Sequence, residues 1–201
     1  SRKTGLNREE TTRPTWTRRP PTRWPPSSAG TGAVSGRWGK WGSISGSSRR
    51  KRRGRCSGEI FSLFIVLAAE LDLPLNVHSR SAGRHAVQML VESGAGRVQL
   101  HAFDGKFSAA RPAVEAGFYF SIPPSVVRSR QKQKLVYHLP LSCLLVETDS
   151  PVLGADAGQR NEPANLAAAV RAVAEIKQVS EEAVRTAVCQ NARALYRLAG
   201  P

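Results

Sequence analysis

The chain has 201 residues and a mass of 21.8 kDa, with 30 Lys+Arg against 15 Asp+Glu and a formal net charge of +15. Its longest apolar run, residues 63–69, is far shorter than a bilayer span, and its polar, basic amino end lacks the apolar core of a signal peptide. Three widely spaced cysteines, Cys56, Cys143 and Cys189, exclude a disulfide frame or a zinc cluster and fit reduced thiols in an intracellular protein of the cytoplasm or nucleus.

The charge is unevenly placed. Residues 1–58 hold 15 basic and 2 acidic residues, leaving 15 basic and 13 acidic for residues 59–201; all four tryptophans and 9 of the 17 glycines also lie in the first 58. The first stretch is a basic Gly/Pro/Ser/Trp-rich material that buries too little apolar surface to order itself, whereas the second has the near-neutral composition of a globular domain. Two regions are expected: 1–60, disordered or irregular, and 61–201, folded. The start at Ser1 rather than Met fits a fragment of a longer chain.

From residue 64 the pattern becomes regular. Residues 64–71 read as a helix end closed by Pro74. A strand over 75–77 runs into His78-Ser79-Arg80, and an amphipathic helix over 83–93 closes at Gly94. A second strand, 98–100, ends on His101 and is followed by Phe103-Asp104-Gly105. Next come a helix over 108–116 closed by Gly117, a strand over 118–122 and a helix over 131–138. A strand over 143–146 then leads into Glu147-Thr148-Asp149. Helices over 165–177 and 180–195 complete the chain, the second capped by Ser180 with Glu181 and Glu182 in its first turn.

Four short strands, read as apolar on both faces and alternating with helices, predict a parallel sheet covered by helices, an α/β fold. Three of the four stop at a metal-ligating residue type: His78, His101 and Asp149. In (β/α) barrels the loops at the carboxyl ends of the strands converge on one mouth, so these residues form a candidate site. Neutral imidazoles and a carboxylate suit a divalent metal such as Zn or Mn, which lowers the pKa of bound water and neutralises phosphate oxygens. Taken singly, each has a structural reading: a satisfied core histidine, a loop cap, a turn before Pro151. Together at equivalent positions they favour the metal site. Arg80 follows the first histidine and is a candidate contact for a substrate phosphate; its structural alternative is an ordinary ion pair. Arg128, Arg130, Lys132 and Lys134 form a basic stretch suited to a DNA backbone or to a solvated face. His85 and His138 fall inside helices and receive no ligand role.

Val77-His78-Ser79-Arg80, His101-Ala102-Phe103-Asp104-Gly105, Gly117-Phe118-Tyr119-Phe120-Ser121 and Glu147-Thr148-Asp149-Ser150-Pro151 resemble, in order and spacing, the second half of the TatD-type metal-dependent deoxyribonucleases. Arg160-Asn161-Glu162-Pro163 and Gln190-Asn191-Ala192 also match, and residues 77–84 and 121–135 are most similar to the third TatD DNase-domain paralogue of animals. The resemblance covers roughly residues 65–198. It implies the C-terminal half, strands 5–8 with their helices, of a (β/α)8 TIM-type metallohydrolase barrel. It also implies one metal on His78 and His101, and a second on Asp149, which helps to orient the attacking water. The implied cofactors are divalent cations (Zn, Mg or Mn; two in the complete site), the implied substrate DNA, and the implied reaction phosphodiester hydrolysis, exonucleolytic trimming included. No membrane role is implied.

The family pattern also has a His-x-His on its first strand and a bridging glutamate on its fourth, in a Gly-Glu-Val-Gly-Leu-Asp type motif. No histidine precedes His78 here. Residues 37–45 read Arg-Trp-Gly-Lys-Trp-Gly-Ser-Ile-Ser. From the third base of each codon, the two Trp codons force glycines three positions apart, and permitted choices elsewhere give Gly-Glu-Val-Gly-Leu-Asp-Phe, with its glutamate near position 40. Residues 1–60 are therefore expected to be an out-of-frame segment, and the basic run 49–55 an accident of frame rather than a nucleic-acid signal. The leading function is a TatD-type metal-dependent deoxyribonuclease, impaired by the missing ligands. The alternatives are a non-catalytic nucleic-acid-binding or inert truncated product, and an amidohydrolase-like barrel acting on another ester or amide.

Overall fold

A computed structural model describes residues 34–37 and 48–199. Its elements, in chain order, are β1 (Val34–Arg37), α1 (Ser48–Glu70), β2 (Leu75–His78), α2 (Gly83–Glu92), β3 (Val98–His101), α3 (Phe107–Glu115), β4 (Tyr119–Ile122), α4 (Arg130–His138), β5 (Leu144–Val146), α5 (Leu166–Lys177) and α6 (Glu181–Tyr196). The five strands form one parallel sheet in the order β1-β2-β3-β4-β5, each neighbour in sequence also its neighbour in space. A helix separates every successive pair, so the chain advances across the sheet as a barrel wall does.

The expected strands and helices of residues 64–199 are all present within a few residues. One strand is unexpected, and one helix begins earlier than expected. β1 lies wholly before residue 60, and α1 starts at Ser48, so it crosses the boundary that composition suggests. In α1 the apolar positions Phe61, Ile65 and Ala68 are buried, at a spacing that puts them on one helix face. Residues 38–47, which would carry the out-of-frame glutamate, and residues 1–33 lie outside the described residues.

The strands are not apolar on both faces, as expected from their composition. Leu75, Val77, Val98, Leu100, Phe120 and Leu144 are essentially fully buried in the core shared with the helices. Asn76, His78, Gln99, His101 and Ser121 occupy the alternating positions and so share the opposite face. In a closed barrel that second face lines the lumen, where a reactive mouth requires polar groups, and this face accounts for the departure.

Loops at the strand ends are held by specific contacts. Phe103, 2% exposed, lies under the loop after β3 and meets Phe120 edge-on with ring centroids 5.5 Å apart. A Cβ on Gly105 would stand 2.4 Å from Phe103 Cε1, and one on Gly83 would stand 2.8 Å from Phe103 Cε2, so the ring fits only between two glycines. Asn191 Nδ2 donates to Leu141 O (2.9 Å) and Leu144 O (2.8 Å), fastening α6 to the start of β5. Ser180 caps α6 as expected, accepting from Ala183 N. No helix among the described residues is long and apolar enough to cross a membrane.

Candidate active site

The parallel register puts His78 opposite His101, and His101 opposite Ser121. The two imidazoles lie side by side at the carboxyl ends of β2 and β3, with centroids 5.3 Å apart and planes tilted by 38°. β5 ends one rung further on and continues through Glu147, whose backbone N–H still bonds to Ile122 O of β4 at 3.1 Å. That last ladder bond carries the Glu147 and Asp149 side chains to the same rim.

Glu147 gathers three donors. Ala102 N–H donates to its Oε1 (2.9 Å), while the Ser121 hydroxyl (2.7 Å) and His101 Nδ1 (2.6 Å) both reach its Oε2. A carboxylate only accepts, so His101 carries its proton on Nδ1 and directs Nε2 away from Glu147. That Nε2 stands 3.4 Å from Asp149 Oδ1. Two donors about 2.1 Å from one ion in a tetrahedral shell are themselves about 3.4 Å apart, so this pair fits two corners of a divalent-metal site. The Glu147 hydrogen bond also raises the His101 pKa above its ordinary value, against the opposing effect of burial and with help from the charges of Glu147 and Asp149.

Backbone strain concentrates at this rim. Arg80, Ala102, Asp149 and Leu153 all have positive φ, between 42° and 56°. Such conformations disfavour residues with a Cβ and persist where the surroundings over-determine them. Asn161, 2% exposed, supplies one such constraint. Its Nδ2 donates to Thr148 O (2.6 Å) and Val152 O (2.8 Å), and its N–H donates to Pro151 O, so it clamps the loop that presents Asp149.

The structure thus brings His101 and Asp149 into direct apposition and sets the His78 ring beside His101. Among the described residues, no group of three or more His, Cys, Asp or Glu side chains is arranged to hold a metal ion. Arg80 is exposed, two residues beyond His78. His138 lies exposed on α4 against Phe107, and His85 on α2, neither at a strand end. The basic stretch divides. Lys132 is 7% exposed, with Nζ 3.3 Å from Ala102 O and 3.7 Å from Asp104 Oδ1, while Arg128, Arg130 and Lys134 are exposed. A cavity of about 440 Å³ beside the mouth is lined in part by Lys106, Arg130, Lys134 and His138.

Sequence reasoning gave no individual role to Glu147 or Ser121, and it read Lys132 only as part of a basic stretch, not as a buried contact of the loop after β3. Glu147 had a usable signal, since it stands two positions before Asp149 where a strand ends. Ser121 was marked only by being a hydroxyl in an otherwise apolar and aromatic run.

Comparison with known proteins agrees with this architecture. The family described as TatD related DNase matches residues 47–197. Over 132 residues the chain is 52% identical to human deoxyribonuclease TATDN3, covering 66% of this chain and 48% of that protein. It is 33% identical over 146 residues to the uncharacterized metal-dependent hydrolase YabD of Bacillus subtilis (strain 168), covering 70% of this chain and 57% of the relative. The chain therefore spans about half the length of these curated relatives. In three dimensions it is similar to the crystal structure of YJJV, a TatD homolog from Escherichia coli, with a TM-score of 0.69 at 22% identity, over 76% of this chain and 60% of that one. With a family match across three quarters of its length and a sheet whose strand ends carry that family's motifs, the chain belongs to the TatD-related DNases.

Proposed function

We propose that these residues form the C-terminal half of a divalent-metal phosphodiesterase site that acts on DNA. The observation that carries this reading is the 3.4 Å apposition of His101 Nε2 and Asp149 Oδ1, with the Nδ1 side of the imidazole held by Glu147. In this reading His101 and Asp149 are metal ligands, His78 is the second imidazole of the site, and Zn, Mg or Mn is the ion. A bound divalent cation supplies Lewis-acid activation of water and neutralises charge on the phosphoryl oxygens. Asp149 also orients the attacking water by accepting one of its hydrogens. Arg80, exposed at the mouth, steadies a non-bridging phosphate oxygen, and the basic residues around the neighbouring cavity attract the flanking backbone. The names of the relatives, a deoxyribonuclease and a metal-dependent hydrolase, support the substrate and the metal.

No histidine precedes His78 in these 201 residues, so they lack the first-strand pair of the family pattern. We therefore place their hydrolytic rate far below that of a relative with the whole barrel. A second reading, a non-catalytic nucleic-acid binder, is favoured by the net charge of +15. Cleavage of labelled DNA with Mn or Mg, with and without chelator, separates the two. Chelator-sensitive cleavage abolished by His101→Ala supports the hydrolase. Binding without cleavage, unchanged by chelator and by His101→Ala, supports the binder. A panel of ester and lactone substrates tests the amidohydrolase-like alternative.

A further inference from the structure

A line of hydrogen bonds joins the end of α6 to His101 across the polar face of the sheet. The Tyr196 hydroxyl donates to Gln99 Oε1, and Gln99 Nε2 donates to Ser121 Oγ at 2.9 Å. The Ser121 hydroxyl donates to Glu147 Oε2 at 2.7 Å, and His101 Nδ1 donates to the same oxygen at 2.6 Å. The partners span 97 positions of sequence between Gln99 and Tyr196 alone.

The direction of each link follows from the groups themselves. Gln99 receives a hydroxyl proton on its amide oxygen, so its NH2 faces Ser121. An NH2 only donates, so Ser121 Oγ accepts there and its single proton is committed to Glu147. Glu147 Oε2 then holds two donors, and the imidazole has one favourable tautomer. Gln99 and Ser121 are 7% and 1% exposed, so bulk water does not compete for these bonds. Polar satisfaction is not general on this face: Asn76, in register with Gln99, has a buried Oδ1 with no hydrogen-bond partner. If Gln99 were apolar, the Ser121 hydroxyl would lose one of its two partners in the line and be held by Glu147 alone. If Tyr196 lacked its hydroxyl, the Gln99 amide could turn over and present oxygen to Ser121, which would redirect the serine proton away from Glu147.

We propose that Gln99 and Tyr196 are positioning residues for His101, acting through Ser121 to hold the Glu147 carboxylate where its bond to Nδ1 turns Nε2 to the Asp149 side. The positioning claim stands on the geometry alone, and its consequence for metal binding rests on the proposed metal-dependent function. Loss of a partner directly bonded to a metal-ligating histidine reduces metal affinity about 10- to 100-fold. Gln99 and Tyr196 act two and three bonds further back, so a loss of about 3- to 10-fold is expected for each.

Proton–nitrogen-15 NMR of the histidine side chains in the metal-free full chain, with His101 assigned by its absence in His101→Gln, reads the Nδ1–H bond to Glu147 directly. The parent should show a slowly exchanging His101 Nδ1–H. Tyr196→Phe and Gln99→Leu should each shift that signal, speed its exchange with water and weaken Zn binding, measured against a competing chelator, by the factor above. A merely structural role in filling the lumen predicts an unchanged Nδ1–H signal in every folded variant. Should Gln99→Leu not fold, Tyr196→Phe, which removes one oxygen, decides. An unchanged Nδ1–H signal and Zn affinity within about twofold of the parent in the folded variants overturn the proposal. If His101→Gln binds Zn as tightly as the parent, the metal reading fails, while the NMR comparison still decides the positioning role.

Discussion

Replacing Glu147 by glutamine changes one oxygen to an NH2 and leaves the shape intact, so its effect isolates the donors converging on that carboxylate. Three N–H or O–H groups point at two oxygens, from Ala102 N, Ser121 Oγ and His101 Nδ1. A glutamine has one accepting end. Its better orientation keeps oxygen toward Ser121 and His101 and turns NH2 toward the Ala102 N–H, which then lacks an acceptor. This partly buried donor left unpaired costs about 1–3 kcal/mol, and each remaining bond loses about 1 kcal/mol by no longer being charge-assisted. The sum is about 3–5 kcal/mol of stability, readable by urea unfolding. Zn or Mn affinity should also fall about 10- to 100-fold, because a neutral amide leaves the imidazole a weaker ligand than the carboxylate does. A loss below about 1 kcal/mol with unchanged metal affinity would refute the reasoning, since it would mean that the convergence on Glu147 neither stabilises the loop nor orients His101.

Three further outcomes follow from contacts around the site. Gly105→Ala places a methyl 2.4 Å from the buried Phe103 ring, which must shift to admit it, so it should destabilise by about 1–3 kcal/mol in the same unfolding assay, whereas alanine at Gly158, which meets nothing within 4 Å, should be tolerated. Asn161→Ala removes the donor that satisfies Thr148 O and Val152 O and should cost about 2 kcal/mol, with the 148–152 amides exchanging faster with deuterium. Burial pushes the Cys143 thiol up to about 12, so iodoacetamide at mildly alkaline pH should label exposed Cys189 and spare Cys143 until the chain is unfolded. The sign for stability is that of a raised pKa: the neutral thiol's contribution is complete below its ordinary value of about 8.5 and is lost as the pH climbs toward about 12. Cys143→Ala should flatten that alkaline decline.

The elements from β2 onward were legible because each combines a short apolar run with punctuation that local chemistry explains. Gly94 and Gly117 close α2 and α3 with positive φ, 63° and 76°, where a glycine removes the steric penalty. Ser180 caps α6 with its own hydroxyl. α1 was legible only at its end. Its first half is the run 49–55, whose composition suggests disorder, yet Arg and Lys are good helix formers, and propagation from the apolar half at Phe61 and Ile65 needs no apolar face of its own. β1, a four-residue Val-Ser-Gly-Arg segment, has no periodicity to read; it is a strand because β2 offers a parallel edge beside it.

The site was legible where chemistry coincides with a strand end and illegible where it depends on register. His78, His101 and Asp149 announce themselves by residue type at three equivalent positions. Gln99 and Ser121 do not, because a polar residue inside a four-residue strand reads equally well as a solvent-facing position. Only the pairing of Gln99 two positions before His101, and of Ser121 directly across from it, puts both on the face that Glu147 overhangs. Tyr196 is further still from recognition, since it reaches that face from the last turn of the last helix. Its phenol pKa is raised, chiefly by burial and also by the Glu147 charge, so the hydroxyl stays protonated and keeps donating across the physiological range. The candidate ligands of such a site are therefore local facts of sequence, while the groups that aim them are properties of the assembled sheet. A substitution at Gln99 or Tyr196 changes how His101 is presented without touching any motif by which the family is known.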